Sequence, residues 1–464
     1  MGEFEDAFED EFEEEEAGEG GNSMESDDSD DDAMQEEEEE EEEETSEDVK
    51  VYLPGQKLDK DEVLEVDNSA YMMLHSMSVQ WPCLSFDVLE DNLGADRTRF
   101  PHTAYLVAGT QAARPSENEI LVMKMSQLHR TNRDDQDQDE NDDSDDEDVD
   151  DDPILEHHSV KHQGGVNRIR LMPGDQGAWA ATWADTGLVH IWNLNPQVEA
   201  LVSPGQIPSS STPPAHTIRF HQDEGFALDW SSMQRGRLLS GDMNGQIFMT
   251  TENQGSWITE PRPFVGHSSS IEDLQWSHKE RTVFASCSAD QTVRIWDSRM
   301  ASRAPALSYH AHNADVNVIS WNRRVDYLMA SGGDDGTFSV WDMRALAGNK
   351  SSSISSPKPV ASFQWHKAPI TSIEWSPHEE SVLALSGADD QCTIWDLSVE
   401  EDKEEENASA MGDGKSSQLE VPPQLLFIHQ GQQDIKEIHW HKQIKGCILS
   451  TAGSGFNIFR TISV

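Results

Sequence analysis

Residues 267–297 read HSSSIEDLQWSHKERTVFASCSADQTVRIWD, a histidine followed 29 residues later by a Trp-Asp pair. The same separation recurs from His312 to Trp341 and from His366 to Trp395. Between each histidine and its tryptophan lie three short apolar runs, rich in alternating and β-branched residues, which predict strands separated by turns. Three copies at one spacing indicate a repeat fold whose unit is a small antiparallel sheet.

Weaker copies of this unit flank the three clear repeats, and two of them lack the tryptophan. They begin at His162, His221 and His429. Residues 103–109 and 119–125 supply strands of one more unit, which brings the count to seven. The sequence therefore predicts an all-β, seven-bladed WD-repeat β-propeller over residues 81–464.

The closure of the ring depends on the two ends of the repeat region. The last predicted strand is Phe456–Arg460, and the sequence stops four residues later. A four-stranded blade that ends there lacks its outer strand, and a propeller closes when one terminus completes the blade of the other. Leu84–Val88 has the alternation of a strand. We therefore predict that Leu84–Val88 is the outer strand of the last blade.

Each clear repeat contains residues for a hydrogen-bonded tetrad of His, Ser, Asp and Trp, which is typical of WD blades. A carboxylate accepts a hydrogen bond from an imidazole N–H, and a buried indole N–H needs a hydrogen-bond acceptor. The two complete sets are His267, Ser286, Asp290 and Trp296, and His312, Ser331, Asp335 and Trp341. The third repeat has Leu385 in place of the serine, so its tetrad is predicted to be incomplete.

The formal net charge is −56, and much of it lies in two segments. Residues 1–48 contain 28 Asp and Glu, residues 134–152 contain 14, and neither has a Lys or Arg. Blocks of one charge repel themselves, so we predict a disordered arm and a disordered loop insertion. Both oppose direct binding of nucleic acid and favour basic proteins as partners. Further insertions are predicted at 203–214 and 400–418.

Several classes of function find no support in the residues. The four cysteines are Cys83, Cys287, Cys392 and Cys447, far apart and without a CxxC pair. The sequence has no signal peptide, membrane span, nucleophile motif or phosphate-binding loop. His157, His158 and His162 are interpreted as structural, since no carboxylate or cysteine is in register with them. We expect a monomeric, non-enzymatic protein with no metal, no cofactor and no membrane association.

Residues 49–80 are predicted to be a leader followed by an amphipathic helix over 59–77. Apolar residues recur there at three-and-four spacing. In one interpretation the helix packs on the flank of the propeller. In the other, helix and propeller form a groove for a partner helix. The helix residues predicted to contact a client are Val63, Val66, Tyr71 and Leu74.

The acidic segments have two interpretations, as solvated spacers or as flexible segments that surround basic clients. In the insertion the predicted client contacts are Asp142, Asp143, Asp145, Asp146, Glu147 and Asp148. Phe4, Phe8 and Phe12 recur every four residues in the arm, so in a helix they would share one face. Such a helix would form on binding. Ser26, Ser29 and Ser144 stand in acidic contexts, where an acid-directed kinase could add charge or where serine is merely solubilising.

Two repeats end in a WDxR box. The residues are Trp296, Asp297 and Arg299, and Trp341, Asp342 and Arg344. These boxes resemble the docking signature of WD-repeat substrate receptors for cullin-RING ubiquitin ligases. The alternative is that an arginine is simply common where a strand leaves a blade.

Other motifs point to one family. They are VYLPG at 51–55, PCLSFD at 82–87, EGFALDW at 224–230, RPFVGH at 262–267 and GFNIFRTISV at 455–464. In these motifs, residues 50–464 closely resemble the glutamate-rich WD-repeat proteins, including a yeast ribosome-biogenesis relative. More distantly, they resemble the retinoblastoma-binding histone chaperones. The resemblance implies a nuclear and nucleolar protein that binds histones, escorts a large-subunit ribosomal protein, and acts in ribosome assembly and chromatin licensing.

The sequence thus predicts a chaperone and scaffold for basic nuclear proteins. A polyanion competes with nucleic acid for Lys and Arg, while a rigid propeller supplies selectivity. The alternative is a substrate receptor that binds a cullin-RING ligase adaptor. A purely structural scaffold in ribosome precursors is a third hypothesis, since propellers host many functions.

Overall fold

A computed structural model describes residues 66–131, 152–174, 177–203, 205–348, 357–400 and 421–464. Nearly all regular structure in this part of the chain is β-strand. The strands are β1 (Tyr71–Met77), β2 (Cys83–Leu89), β3 (His102–Thr110), β4 (Glu119–Leu128), β5 (Ile154–Lys161), β6 (Val166–Leu171), β7 (Trp179–Ala184), β8 (Val189–Asn193), β9 (His216–Ile218), β10 (Ala227–Trp230), β11 (Arg237–Gly241), β12 (Gln246–Asn253), β13 (Ser256–Thr259), β14 (Phe264–Val265), β15 (Ile271–Trp276), β16 (Val283–Ser288), β17 (Thr292–Asp297), β18 (Leu307–His310), β19 (Val316–Trp321), β20 (Leu328–Gly333), β21 (Thr337–Asp342), β22 (Ala361–Gln364), β23 (Ile370–Trp375), β24 (Val382–Gly387), β25 (Gln391–Asp396), β26 (Leu425–His429), β27 (Ile435–Trp440), β28 (Cys447–Ala452) and β29 (Gly455–Thr461). The helices are α1 (Asn195–Val202), α2 (Met343–Gly348) and the 3-10 turns Asn68–Ala70 and Pro115–Glu117.

The strands form seven antiparallel sheets, which are the blades of a propeller. Blades 1 to 6 each use four consecutive strands, β2–β5, β6–β9, β10–β13, β15–β18, β19–β22 and β23–β26. The short β14 adds to β12 of blade 3. Blade 7 contains β27, β28, β29 and, at its outer edge, β1. The predicted seven-bladed propeller is confirmed.

The strand that closes the ring differs from the predicted one. The outer strand of blade 7 is β1, whose Leu74 is paired with Phe459 and whose Met77 is paired with Phe456 of β29. The predicted Leu84–Val88 lies in β2, the innermost strand of blade 1. The propeller therefore begins at Tyr71 rather than at residue 81, and the prediction for Leu84–Val88 was wrong.

The prediction of a helix over residues 59–77 is also wrong for its second half. Residues 71–77 form β1, only Asn68–Ala70 form a 3-10 turn, and residues 59–65 lie outside the described part of the chain. Tyr71, Met73 and Met77 alternate inward in the strand and are buried. The exposed edge of β29 decides the conformation, because its backbone N–H and C=O groups need a partner strand.

The hydrophobic core lies between neighbouring blades. Trp296 of blade 4, for example, packs in one buried cluster with Trp276 and with Phe264, which precedes that blade. Inner strands approach closely, and a Cβ atom on Gly109 of blade 1 would lie 2.2 Å from Val166 of blade 2. Only glycine fits at such a position. The blades are thus joined by continuous packing around the ring.

The antiparallel order gives the ring two distinct faces. We call one the insertion face, because it carries the connections from first to second strands and from third to fourth strands. The predicted insertions at 134–152, 203–214 and 400–418 all fall in third-to-fourth connections, although residues 134–151, 204 and 401–420 are outside the described ranges. The opposite face carries the turns between second and third strands and the links from blade to blade.

Candidate protein-binding site

The tetrad residues of blade 4 are brought together by the turn between β16 and β17. The two ring nitrogens of His267 lie 2.9 Å from Asp290 Oδ2 and 2.7 Å from Ser286 Oγ. Trp296 donates to the same Ser286 oxygen over 2.8 Å. Although burial acts in the opposite direction, hydrogen bonds from His267 and Thr292 hold the pKa of Asp290 below its usual range. The network fixes the turn that presents Asp290.

Blade 5 contains the same tetrad, except that one ring nitrogen of its histidine has a different partner. His312 lies 2.8 Å from Ser331 Oγ, to which Trp341 donates over 2.9 Å. The other ring nitrogen lies 3.0 Å from Thr337 Oγ1 and 3.9 Å from Asp335. Thr337 in turn donates to Asp335. The aspartate therefore joins the tetrad through a threonine hydroxyl.

The tetrad of blade 6 is complete, contrary to the prediction from Leu385. Thr393 Oγ1 lies 3.0 Å from His366 and accepts from Trp395 over 2.9 Å. Asp389 lies 2.9 Å from the other ring nitrogen of His366. Thr393 is the cross-strand partner of Leu385, so the hydroxyl comes from the opposite member of the same pair.

Three further blades contain related networks that the repeat pattern did not reveal. In blade 3 His221 lies 2.9 Å from Asp242 and 2.7 Å from Ser240. Blade 2 uses His162, Thr182 and Trp192, and blade 7 uses His429, Tyr71 and Asn457. Because Tyr71 belongs to β1, this last network ties the N-terminal strand into blade 7. In blades 2 and 3 the signal in the sequence was a Thr or Ser, Thr182 and Ser240, placed 20 and 19 residues after the histidine.

The turns fixed by these networks give one face of the ring an excess of carboxylates. We define the acidic face by the following side chains, which come from blades 1, 2, 4, 5 and 6 and from the links between blades 2 and 3, 4 and 5, and 6 and 7. They are Glu117, Asp185, Asp223, Glu224, Glu272, Asp290, Asp315, Asp334, Asp335, Asp389, Asp390 and Asp434. The basic residues of the same loops and adjoining strand ends are Arg114, Lys161, Arg168, Arg219, Arg294, Lys367 and Lys436. Six of the acidic residues, including Asp185, Asp315 and Asp334, are exposed to solvent.

Some of these carboxylates already have a cationic neighbour. Lys436 lies 2.5 Å from Asp434, and Arg114 lies 3.2 Å from Glu117. Near the central opening, burial raises the pKa of Glu272, a hydrogen bond from Ser270 opposes this shift, and the nearby Asp315 carboxylate adds to it. A cation placed beside Glu272 and Asp315 would relieve their repulsion. The face is chemically suited to Lys and Arg side chains.

The central channel carries a second network, which holds the ring closed. Glu437 of blade 7 is 2% exposed and binds Arg168 over 2.7 Å and Arg170 over 2.6 Å. Burial disfavours its charge, but these two arginines keep the pKa of Glu437 well below its usual range. Burial acts to lower the pKa of His439, but the carboxylates of Glu374 and Glu437 raise it to about 9. Arg168, Arg170, Glu374 and His439 of this network also line a central cavity of about 120 Å³.

A recurring set of side chains joins the inner strands of neighbouring blades from blade 3 to blade 7. The backbone N–H of Trp276 donates to Asp229 over 2.6 Å, and that of Trp440 donates to Glu374 over 3.1 Å. Gln275 and Ser320 accept in the same way from Trp321 and Trp375. Each acceptor stands immediately before the inner-strand tryptophan of its own blade. A polar residue at that position is a signal that could have been used.

The structure places only a few of the predicted client contacts. Phe4, Phe8, Phe12, Val63, Asp142, Asp143, Asp145, Asp146, Glu147 and Asp148, with Ser26, Ser29 and Ser144, lie outside the described residues. Val66 is 53% exposed. Tyr71 is buried with its hydroxyl 2.8 Å from His429, and Leu74 packs against the core of blade 7. The proposal that Tyr71 contacts a client is wrong, because the side chain is enclosed within the ring.

The arginines of the two WDxR boxes have matching geometry. Arg299 binds Asp297 and Arg344 binds Asp342, each with a shortest distance of 2.6 Å. Their side chains are 72% and 62% exposed, respectively. Both follow the third strand of a blade, in neighbouring blades 4 and 5, so they share the insertion face. Arg344 also lies over the Tyr327 ring, 3.3 Å from its centroid.

Comparisons with known proteins agree with this architecture. A family model for the histone-binding protein RBBP4, a component of the CAF1 complex, matches residues 61–129. The WD domain, G-beta repeat model matches 259–297, 303–342 and 357–396. Ribosome assembly protein rrb1 of Schizosaccharomyces pombe is 48% identical over 474 residues, covering 100% of this chain and 93% of that protein. Glutamate-rich WD repeat-containing protein 1 of Dictyostelium discoideum is 49% identical over 423 residues, covering 89% and 85%.

The chain belongs to the glutamate-rich WD-repeat protein family. In this family member, the histone-binding model spans the strands from β1 to β4, where blades 7 and 1 meet. The WD40 β-propeller domain of Doa1 is a structural neighbour with a TM-score of 0.52 and 13% identity, covering 84% of this chain and 96% of that one. This likeness concerns the fold alone.

Two features are missing from the described residues of this glutamate-rich WD-repeat protein. None of the helices there is long and apolar enough to cross a membrane. Within the same ranges, no group of three or more His, Cys, Asp or Glu side chains is arranged to hold a metal ion.

Proposed function

We propose that this protein is a nuclear and nucleolar chaperone and scaffold that binds basic proteins through the acidic face. The observation that carries the proposal is the convergence of carboxylates from five blades and three of the links between blades on one face. The clients would include histones and a large-subunit ribosomal protein. The matching histone-binding family model and the name of the ribosome assembly relative support these choices. The proposed function consists of binding alone and includes no catalytic step.

The physical basis is the sum of many weak, solvent-exposed attractions. A single exposed ion pair contributes little, about 0–1 kcal/mol, and is screened by salt. A rigid array of carboxylates instead meets several Lys and Arg side chains at once and accelerates encounter with a basic client. Clients held in this way are shielded from nucleic acid, because the same side chains would otherwise bind phosphates.

The test is a comparison of two triple variants in the full chain. One neutralises the acidic face with Asp185→Asn, Asp315→Asn and Asp334→Asn. The matched control removes the same number of charges from the insertion side with Asp96→Asn, Glu280→Gln and Glu400→Gln, all of which are exposed. Both lose three charges, so net charge is held equal.

We expect the acidic-face variant to bind a histone H3–H4 tetramer about tenfold more weakly at low salt, and the control to bind normally. The difference should shrink as salt is added. Equal weakening in both variants would mean that total charge, rather than this face, determines binding. Such a result would reject the assigned surface.

A second candidate function is docking of a cullin-RING ligase adaptor on the insertion face. The observation that favours it is the matched exposure and geometry of Arg299 and Arg344 in neighbouring blades. Arginine suits an interface because it stays charged and donates in a fixed planar arrangement. In that case the acidic face would select the substrate of the ligase.

A further inference from the structure

The loop between β2 and β3 forms an open cavity of about 420 Å³ on the insertion face. Its lining residues are Leu93, Arg97, Thr98, Arg99, Pro101, His102 and Thr103. The lining contains two arginines, a histidine and two threonines but no carboxylate, in a chain with 89 Asp and Glu. The cavity is therefore a local exception to the acidic character of the protein.

Polar atoms in this cavity are buried with unused hydrogen-bonding capacity. His102 is 2% exposed, and its Nε2 atom has no hydrogen-bond partner among the described residues. Arg97 donates through Nη2 to Asp91 over 2.9 Å, but within the same ranges its buried Nε atom is unpaired. Native proteins rarely leave buried polar groups unpaired. These atoms indicate a polar ligand that accepts hydrogen bonds.

The electrostatic surroundings define the charge of that ligand. Burial lowers the pKa of His102 to about 4, and the cations Arg97 and Arg460 add to this effect. Arg460 extends from β29 of blade 7, so both sides of the junction between blades 7 and 1 contribute positive charge. An anion in the cavity would be attracted by these arginines and would meet no acidic lining residue.

We propose that this cavity binds a single phosphate group, either free or carried by a phosphorylated serine. Guanidinium groups bind phosphate oxygens in a paired, planar geometry, and threonine hydroxyls and a histidine complete a set of donors. Two carboxylates of this loop are close to the lining residue Arg97, since Asp91 binds it and the exposed Asp96 precedes it in the sequence. A nucleic-acid strand would bring further phosphates against these acids, so one phosphate fits better than many. This site is independent of the acidic face.

The test uses Arg99→Gln, because Arg99 is exposed and its side chain lines the cavity. The matched control is Arg281→Gln, an exposed arginine in the equivalent connection of blade 4. Binding of sodium phosphate, N-acetylphosphoserine amide and N-acetylserine amide to the full-length protein would be measured by titration calorimetry. Thermal melts would verify that both variants are folded.

We expect the phosphorylated compounds to bind, the unphosphorylated serine amide not to bind, and Arg99→Gln to weaken binding about tenfold. Arg281→Gln should bind as the wild type does. Tighter binding of the phosphoserine compound than of phosphate would identify a protein ligand, and the reverse would identify a small anion. Two results would overturn the proposal: no binding of either phosphate or phosphoserine amide, or an equal loss of binding in both variants.

Discussion

Glu437 accepts a hydrogen bond from the backbone N–H of Phe86 over 2.9 Å, and so joins the inner strand of the last blade to that of the first. Its other carboxylate oxygen binds Arg168 and Arg170 of blade 2. One buried side chain therefore connects three blades across the point where the ring closes.

Replacement of Glu437 by glutamine should destabilise the propeller by about 3–5 kcal/mol, because two largely buried arginines would lose their counter-charge. Urea unfolding followed by tryptophan fluorescence would measure the change. The control is Glu90→Gln, which removes an exposed pair with Lys442 across the same junction and should cost about 0–1 kcal/mol. Similar losses in the two variants would show that burial of Glu437 has no special importance.

A chain that starts at residue 66 should melt cooperatively, whereas a chain that starts at residue 78 should not. The first retains β1 and the second removes it, leaving β29 with an unpaired edge. Calorimetry would compare the two transitions. A sharp transition in the shorter chain would reject β1 as the closing strand.

Thr393→Val should destabilise the protein by about 1–3 kcal/mol, because it removes the oxygen shared by His366 and Trp395. Valine preserves the shape of the side chain, so the loss would report the hydroxyl. Thr393→Ser keeps the hydroxyl and should retain most of the stability. If the valine variant were as stable as the wild type, the tetrad of blade 6 would contribute nothing measurable.

The double variant Arg299→Ala and Arg344→Ala should lose any ligase adaptor that co-purifies with the wild type. Histone binding and the melting temperature should change little, because both arginines are exposed and their contacts, with a neighbouring aspartate and for Arg344 also with the Tyr327 ring, lie at the surface. Arg281→Ala serves as the control on the same face. Adaptor recovered in full by the folded double variant would reject the receptor hypothesis.

The blades were predictable because their signals are local. Within 31 residues, His267 to Asp297 contains three strands, two turns and a complete tetrad. Closure of the last blade by an N-terminal strand was predicted, but the wrong segment was chosen, because residues 71–77, which pair with β29, were assigned to a helix. Residues 71–77 also fit the hydrophobic periodicity of a helix as well as that of a strand. Met73 and Met77 are four residues apart, so they would share one face of either element. Only the unpaired edge of β29 distinguishes these alternatives.

The candidate site was less predictable, for a related reason. The sequence showed the acidic segments as continuous runs, but the acidic face gathers single residues such as Asp185, Asp315 and Asp434 from separate blades. Such a surface exists only once the ring is assembled. In blade 6 the missing serine was replaced by Thr393 on the neighbouring strand, which a comparison of aligned repeats overlooks.

The position of β1 also has a consequence for synthesis. A ribosome releases Met77 long before Gly455, which lies 378 residues further along the chain. At about 5–20 residues per second, the nascent β1 must wait roughly 20–75 seconds for its partner strand. During that interval a buried tyrosine and two buried methionines of the finished protein face solvent. Until Gly455 is synthesised, the pairing of β1 with β29 cannot bury these side chains.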